Sequence, residues 1–427
     1  MRPQTKNIAG LALLVAILQI PLVAQSQHTT KEESPSYTVV NLGTLGGTQS
    51  AAWGINNRGW VAGSANLAGD QTEHPFLWRE GVMTDLGTLG GPNGTAGFPL
   101  KNNVGLIPAI VQTSTADPLD ENWPFYCTIS GNLCEGSNFI NRGLLWVDGF
   151  KIPMPTLGGN NGFAFGANDW GQVVGLAEKA TVDPNCVAPQ VLDYEAVIWT
   201  PWNNRIMELP PYPGDTIGGA IGINDSGQAV GTSGTCGTPS PAIGIHALLW
   251  QDGAAIYLGS LGGVIDNLAY AINNQGQVVG ASDLPGDTTT HAFFWQNGTM
   301  TDLGTLPGDF NSVAFSINND GQVVGQSCDV NGNCRAFLWR NGTMTDLNTL
   351  IPSDSSLYLL SANDLNDQGE IVGQAFDQST GAAPAFSLVP THVRGEFAKS
   401  HLQVRDKPEL PESLRQQLQK GRWGSRF

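Results

Sequence analysis

The segment Asp120–Tyr126 contains the residue types of this sequence that are best suited to ligand binding. Trp123, Phe125 and Tyr126 stand beside two acidic residues and just before Cys127. Such rings stack on a sugar or grip a peptide, because they offer a large contact area at a small cost in side-chain entropy. We therefore predict Trp123, Phe125 and Tyr126 as ligand-binding residues. The alternative is a small core beneath a long loop.

The cysteines are Cys127, Cys134, Cys186, Cys236, Cys328 and Cys334. An even number in an exported chain favours disulfides, and no pair has the Cys-x-x-Cys spacing of a zinc site. The first two and the last two are close in sequence, which suggests two local loops and leaves the third and fourth for each other. Since six cysteines allow 15 pairings, the connectivity stays open at this point.

Histidines and aspartates recur at equivalent repeat positions. One position holds His74, His246 and His291, and another holds Asp85, Asp302 and Asp346. Equivalent side chains of a ring of repeats point apart, so we expect the histidines to cap strands and the aspartates to be structural. Carboxylate catalysis needs a unique pair, and nothing in the sequence identifies one; nor does the sequence contain a nucleophile elbow, a His-Glu-x-x-His motif or a phosphate-binding loop. It therefore predicts no catalytic residues, no metal and no cofactor.

The segment Asp329–Asn333 has the alternating oxygen ligands that open a calcium loop. The glycine and the distal glutamate of an EF-hand are missing, and Arg340 stands where the glutamate should be. We expect a turn closed by a disulfide rather than a calcium site.

Composition and the N-terminal segment indicate an exported β protein. With 54 Gly, 26 Pro and 13% charged residues, the chain is turn-rich and poor in helix formers. An apolar run over residues 8–23 follows Arg2 and Lys6 and ends in small residues, which predicts a signal peptide over 1–26 and a linker over 27–36. No second run of about 20 apolar residues follows, so we expect a soluble, secreted or periplasmic protein.

Charge is unevenly distributed along the chain. Residues 37–390 contain 9 Lys and Arg against 31 Asp and Glu, a net charge of −22, whereas residues 391–427 contain 8 against 4, a net charge of +4. A body this acidic repels phosphate backbones and anionic lipids, which argues against nucleic acid and membrane surfaces as partners. We expect a monomer whose partner is an extracellular glycan or protein.

An imperfect repeat of roughly fifty residues organises the body. Its turn glycine recurs seven times, at Gly59, Gly105, Gly171, Gly227, Gly276, Gly321 and Gly369. Each unit contains four short apolar runs, named A to D, separated by turn residues, as a four-stranded antiparallel blade requires. The second unit is degenerate. Small residues dominate run A and Trp ends run C, so we expect A to be innermost.

The two ends of the repeat region complement each other. Tyr37–Leu42 is a lone D run, and Ala385–Leu388 is a lone C run. Pairing them would close a seven-bladed β-propeller over residues 37–390 and leave no long exposed edge. The tail, 391–427, is compositionally separate; Leu414 and Leu418 fit one short helix, and disorder is the alternative.

The phrases Ala336–Leu347 and Ile272–Gly280 resemble the bacterial extracellular repeat family named for its His-Ala-Phe (HAF) motif. That motif stands only at His291, with variants at His74 and His246. The resemblance implies an exported repeat protein and no particular activity.

Loop lengths distinguish the two faces of the predicted ring. The A-B and C-D turns of one face are short, whereas the B-C and D-A loops of the other carry every large insertion, and all six cysteines fall in B-C loops. We predict a binding module that uses the disulfide-rich B-C loop face, since loops on a rigid scaffold are where recognition concentrates. The alternatives are a glycan hydrolase or lyase with carboxylates at the axial channel and a structural envelope component without a pocket. Enzymatic activity stays uncertain and is the less favoured interpretation.

Overall fold

The computed structural model describes residues 36–121, 138–186, 188, 190–236, 245–391, 407–412 and 414–416. It contains seven antiparallel four-stranded sheets arranged as the blades of a propeller. The predicted fold class is therefore confirmed. No helix among the described residues is long and apolar enough to cross a membrane.

Blades 1 to 4 follow one another along the chain, and their strands are given in the order A to D. Blade 1 consists of Gly46–Ile55, Val61–Leu67, Glu73–Arg79 and Val82–Asp85. Blade 2 consists of Gly90–Ala96, Ile107–Ala116, Phe139–Val147 and Phe150–Pro153. Blade 3 consists of Gly158–Ala167, Val173–Val182, Leu192–Thr200 and Arg205–Leu209, with a 3-10 turn at Pro201–Asn203. Blade 4 consists of Ile217–Ile223, Ala229–Gly234, His246–Gln251 and Ala254–Tyr257.

Blades 5 to 7 complete the ring. Blade 5 consists of Asn267–Ile272, Val278–Asp283, Thr290–Gln296 and Thr299–Gly304. Blade 6 consists of Asn311–Ile317, Val323–Cys328, Cys334–Arg340 and Thr343–Asp346, followed by a 3-10 turn at Leu347–Thr349. Blade 7 consists of Leu357–Leu365, Ile371–Asp377, Ala385–Thr391 and, as its D strand, Ser36–Gly43 from the start of the described chain.

Blade 7 closes the ring by the predicted pairing of the two ends. Val39 lies opposite Leu388, and Gly43 lies opposite Ala385, in an antiparallel ladder. Blade 7 is then bound to blade 1, where the amide of Ala385 donates to Ser50 Oγ at 2.7 Å. The closing seam thus has both a strand ladder and hydrogen bonds between blades.

Strand A is innermost in each blade, as the side-chain sizes predict. Apolar residues from the inner part of six blades form one axial cluster, which includes Phe165, Tyr270 and Phe315. Further out, the strand C residues Trp199 and Trp250 are almost fully buried between blades. The core is therefore an axial cluster surrounded by layers between neighbouring blades.

Blade 2 departs from the repeat because its A-B segment fills the axis. Phe98 is fully buried and packs edge-on against Phe315 of blade 6, with ring centroids 6.4 Å apart. Leu100 lies against the backbone of Gly54, where an added Cβ would stand 2.4 Å from the Leu100 Cβ. The A-B segment of the degenerate repeat therefore extends from blade 2 into the axis of the ring.

Candidate functional site

The B-C loop face is the face of the ring that carries the B-C loops and the neighbouring D-A loops. Contacts between neighbouring blades hold its loops in place. Glu121 of the blade 2 loop is 1% exposed, and its Oε1 accepts the backbone amides of Val191 and Leu192 in blade 3, at 2.7 and 2.8 Å. These contacts anchor the base of the longest insertion on the neighbouring blade. The predicted ligand-binding residues Trp123, Phe125 and Tyr126, and also Cys127 and Cys134, lie outside the described residues.

A buried network of polar groups lies beneath this loop. Glu178 Oε2 in strand B of blade 3 accepts the backbone amides of Asn160 and Asn161, at 2.9 and 2.7 Å. Asn161 Nδ2 donates to Asp117 Oδ2 at 2.6 Å and to Glu178 Oε1 at 3.1 Å. Three carboxyl groups from two blades, those of Asp117, Glu121 and Glu178, therefore meet in the interior of the loop face.

One carboxyl group of this network, that of Glu178, has a pKa near neutral pH. Burial and the neighbouring Glu121 carboxylate raise the pKa of Glu178 to about 7. Burial raises the pKa of Glu121 as well, against the lowering effect of its two backbone hydrogen bonds. The Arg142 guanidinium supplies the nearby positive charge, and burial lowers its own pKa. The group can exchange a proton near neutrality, but Glu178 is 0% exposed, so a large substrate has no access to it.

Two disulfides brace other loops of the same face. Cys186–Cys236 joins the B-C loop of blade 3 to that of blade 4, and Cys328–Cys334 closes the B-C loop of blade 6. Asp183 lies within reach of the Cys186 and Cys236 sulfurs. Because both sulfurs are in a disulfide, they provide no thiolate for a metal.

Part of the C-terminal tail lies on blades 6 and 7 of this face. Lys407 Nζ donates to Asp309 Oδ1 at 2.8 Å and to Asp329 Oδ2 at 3.0 Å. Leu410 and Leu414 are buried against the Cys328–Cys334 disulfide. Asp329 is the first carboxylate of the calcium-like segment. The Lys407 ammonium therefore occupies the position in which a cation would have bound to it.

The opposite face, that of the A-B and C-D turns, has a ring of hydrogen bonds around the axial mouth. Each backbone amide donates to the side-chain oxygen of the equivalent residue in the next blade, at 2.5 to 3.0 Å. The seven residues are Asn57, Asn103, Asp169, Asp225, Asn274, Asn319 and Asp367. The ring closes through all seven blades, including the degenerate second one.

A unique ion pair lies just inside this mouth. Lys101 Nζ donates to Asp364 Oδ1 at 2.6 Å, and the Asp364 side chain is fully buried. Asp364 Oδ2 also accepts the amide of Ile55 at 3.0 Å, so it links blades 1, 2 and 7. The cavity above it measures only about 50 Å³, room for a few waters rather than a polymer. A buried, paired carboxylate at this position is suited to holding blades together.

Two of the three recurring histidines pair with recurring aspartates of their own blades, whereas His246 Nδ1 lies 2.8 Å from Asp215 Oδ2 in the D-A loop that leads into blade 4. His74 Nδ1 lies 2.9 Å from Asp85, and His291 Nδ1 lies 2.9 Å from Asp302. Blade 6 has Arg335 at the histidine position, which contacts Asp346. The pairs with recurring aspartates cross from the start of strand C to the end of strand D, as a structural role requires.

Sequence reasoning missed both the acidic network and the axial ion pair. Glu121 and Glu178 are far apart in the chain and belong to different blades, so no motif connects them. The one available signal for Lys101 was its place in the most divergent repeat, which the sequence alone indicated only as degeneracy.

The comparisons with known proteins identify the fold and no activity. The family model that matches residues 215–397 is described as "Protein of unknown function (DUF3466)", and no curated protein matches the chain. An oligogalacturonate lyase in complex with manganese is 12% identical, with a TM-score of 0.51 over 84% of this chain and 94% of that one. The oligogalacturonate lyase of Vibrio parahaemolyticus is 10% identical, with a TM-score of 0.47 over 82% and 93%.

Three larger enzymes are also among the similar solved structures. The acylaminoacyl peptidase of Pyrococcus horikoshii is 12% identical, with a TM-score of 0.36 over 68% of this chain. This chain spans about half the length of that peptidase and of two puromycin-hydrolysing enzymes, with coverages of 50, 56 and 54%.

The resemblance to the HAF repeat family is wrong, because the matching family model is a different one. The phrases that suggested it combine an Asn-Gly hairpin with small residues on an inner strand. Any four-stranded blade with tight turns needs these features, so they do not specify one family.

Proposed function

We propose that this protein is an exported binding module that contacts an extracellular glycan or protein through its B-C loop face. The observation that carries the proposal is the bracing of long loops across blades, by Glu121 on blade 3 and by Cys186–Cys236 between blades 3 and 4. Loops fixed in this way present a preorganised surface, which lowers the entropic cost of binding.

Trp123, Phe125 and Tyr126 are the proposed ligand contacts on this face. They follow the anchored Glu121 directly in the sequence. The proposal includes export by residues 1–26, and the two described disulfides are of a kind that persists in oxidising compartments. A soluble monomer is part of the same proposal.

Two observations favour binding over glycan cleavage. Phe98 and Phe315 pack together in the axis, and Asp364 is paired with Lys101 and inaccessible. A hydrolase or lyase with axial carboxylates would need an open channel with exposed acids. The likeness to an oligogalacturonate lyase extends to the fold alone.

The test is an array of immobilised glycans and cell-wall polymers probed with the full chain, with and without calcium. We expect retention on at least one polymer, without cleavage products, and loss of retention in the Trp123→Ala/Tyr126→Ala variant. Phe150→Ala is the matched control, since this aromatic residue is 72% exposed on the opposite face. Cleaved polymer would overturn the binding-only function, and no retention on glycans or on an accompanying set of extracellular proteins would favour a structural component. Thermal unfolding of the double variant separates a lost contact from a lost small core.

A further inference from the structure

The A-B turns of blades 1 to 3 differ from those of the other blades at one exposed position. The third residue of the Asn-x-x-Gly turn is Arg58, Val104 or Trp170 in blades 1 to 3. In blades 4 to 7 it is polar: Ser226, Gln275, Asp320 and Gln368. Trp170 is 72% exposed, and Trp202 of the adjacent C-D turn is 56% exposed. Large exposed aromatic side chains of this kind mark interaction surfaces when they occur together.

Two guanidinium groups lie beside this aromatic surface. The Arg58 and Arg79 guanidinium carbons stand 5.5 and 5.4 Å from the ring centroid of Trp60. Both arginines are exposed, and neither forms an ion pair with a carboxylate of the described residues. Lys101, Lys179 and Arg335, by contrast, each contact a carboxylate. Two like charges held at one ring repel each other, and a bound anion would relieve that repulsion.

The aromatic and basic side chains, here called the Trp60–Trp202 patch, are connected through contacts between neighbouring turns of blades 1 to 3, and the Trp170 Nε1 donates to the Asp225 carbonyl of blade 4 at 2.9 Å. Trp60 packs on the backbone of Gly105 in blade 2, where an added Cβ would stand 2.9 Å from its ring. The turn of blade 2 is hydrogen bonded to that of blade 3 through Asn103 and Asp169. Trp202 lies over Gly171, the residue after Trp170.

The geometry points to an acidic polysaccharide as the ligand of the Trp60–Trp202 patch. The guanidinium fork of an arginine matches a carboxylate, so Arg58 and Arg79 would bind uronate groups. The indole faces of Trp170 and Trp202 offer flat apolar surfaces for sugar rings. At the axial rim, the Asn103 and Asp169 side-chain oxygens, which each accept one backbone amide, can accept further hydrogen bonds from hydroxyl groups.

The mixture of charges at the patch favours a polyuronate over other polyanions. Nucleic acid binding rests on many cations along a dense row of phosphates. The patch has two clustered arginines at one end, and Asp169 and Asp225 at the axial rim. A ligand with spaced carboxylates and intervening neutral hydroxyl groups suits this arrangement. The site is on the opposite face from the proposed function and does not depend on it.

The experiment measures binding of alginate oligomers, a polyuronate, to the full chain by calorimetry. We expect saturable binding that weakens with added salt, and at least about a tenfold loss of affinity in Arg58→Ala/Arg79→Ala and in Trp170→Ala/Trp202→Ala. The matched control is Arg340→Ala, because Arg340 ends strand C of blade 6 as Arg79 does in blade 1. This control and Trp123→Ala/Tyr126→Ala should retain the wild-type affinity.

Neutral dextran and poly-glutamate serve as the comparison ligands. Dextran binding as tightly as alginate would overturn the role of the arginines, and poly-glutamate binding as tightly would overturn a glycan in favour of an acidic protein. Absence of alginate binding by the wild type, or equal loss in Arg340→Ala, would also overturn the assignment. Circular dichroism of each variant shows whether the fold is retained, and single substitutions replace any double variant that unfolds.

Discussion

The two faces of the propeller are stabilised in different ways. The turn face repeats one hydrogen bond seven times around the axis, from Asn57 through Asp367 and back. The B-C loop face has unlike contacts instead: the Glu121 anchor, the Cys186–Cys236 disulfide and the docked Lys407. Repetition therefore closes the ring, while individual cross-links hold the variable loops.

A second set of hydrogen bonds on the turn face does not repeat in every blade. In five blades the turn asparagine donates from Nδ2 to a carbonyl of the next blade, at 2.9 to 3.1 Å. Asn102 of blade 2 donates instead to Leu106 within its own turn. The Nδ2 atom of Asn56 in blade 1 also lacks a partner among the described residues, so this set is interrupted on both sides of blade 2, and the unique Lys101–Asp364 pair joins blade 2 to blade 7 instead.

The largest expected effect of a single substitution comes from removing that unique contact. In Asp364→Ala, the mostly buried Lys101 ammonium loses its carboxylate partner. The backbone amide of Ile55 loses its hydrogen-bond acceptor as well. We expect a loss of about 3 kcal/mol in the free energy of unfolding, measured by urea denaturation. Asp320→Ala, at an exposed turn position, is the control, and an equally small change in both variants would contradict the role of the pair.

The disulfides allow the loop face to be weakened at two places, of which Cys186–Cys236 also packs in the axial cluster. Cys186–Cys236 spans 50 residues and Cys328–Cys334 spans 6, so chain entropy predicts losses of up to about 4 and 2 kcal/mol for the paired Cys→Ala variants. Urea denaturation under non-reducing conditions measures both. Equal losses would show that loop closure is not the dominant contribution of these bonds.

The acidic network makes stability depend on pH. The pKa of Glu178 is raised from 4.5 to about 7 in the folded protein, so the folded state holds a proton that the unfolded state loses between these values. Stability from this group is complete below pH 4.5 and is lost as pH rises through about 7, by at most roughly 3 kcal/mol. Glu178→Gln should flatten that part of the pH profile of unfolding, whereas Glu80→Gln should not. An unchanged profile in Glu178→Gln would contradict the raised pKa.

The smallest effects are expected at single links of the repeated ring. Asn274→Ala removes a side chain that accepts the amide of Asp225 at 3.0 Å and donates to its carboxylate at 2.7 Å. We expect a loss of about 1 kcal/mol, and a similar loss for Asn57→Ala at the closing seam. Thermal unfolding measures both, and a much larger loss at Asn57 would show that the seam is weaker than other blade boundaries.

The repeat made the fold predictable because each structural element left a local signature. Gly276 ends its turn at φ 73°, a conformation that favours glycine, and the small residues of strand A follow from crowding at the axis. The lone runs at Tyr37 and Leu388 predicted the closing pair, since an unpaired edge would be exposed.

The contacts between blades were not predictable in the same way. The pairing of Glu121 with the network of Glu178 depends on blade 2 standing beside blade 3, which only the closed ring establishes. Asn57 and its equivalents at the axial mouth were visible in the sequence as a repeated Asn or Asp. Their hydrogen bonds were not predictable, because they cross blade boundaries. Phe98 and Lys101 were unpredictable because their partners, Phe315 and Asp364, belong to blades 6 and 7.

The most direct test of binding through the B-C loop face is a hydrogen-exchange footprint of the polymer retained best on the array. The protein is the Arg58→Ala/Arg79→Ala variant, in which the Trp60–Trp202 patch is disabled. Binding through the loop face predicts slowed amide exchange at residues 183–192 in the B-C loop of blade 3, with no change in the A-B turn at 273–277. Protection confined to A-B turns, with the B-C loops unchanged, would contradict it.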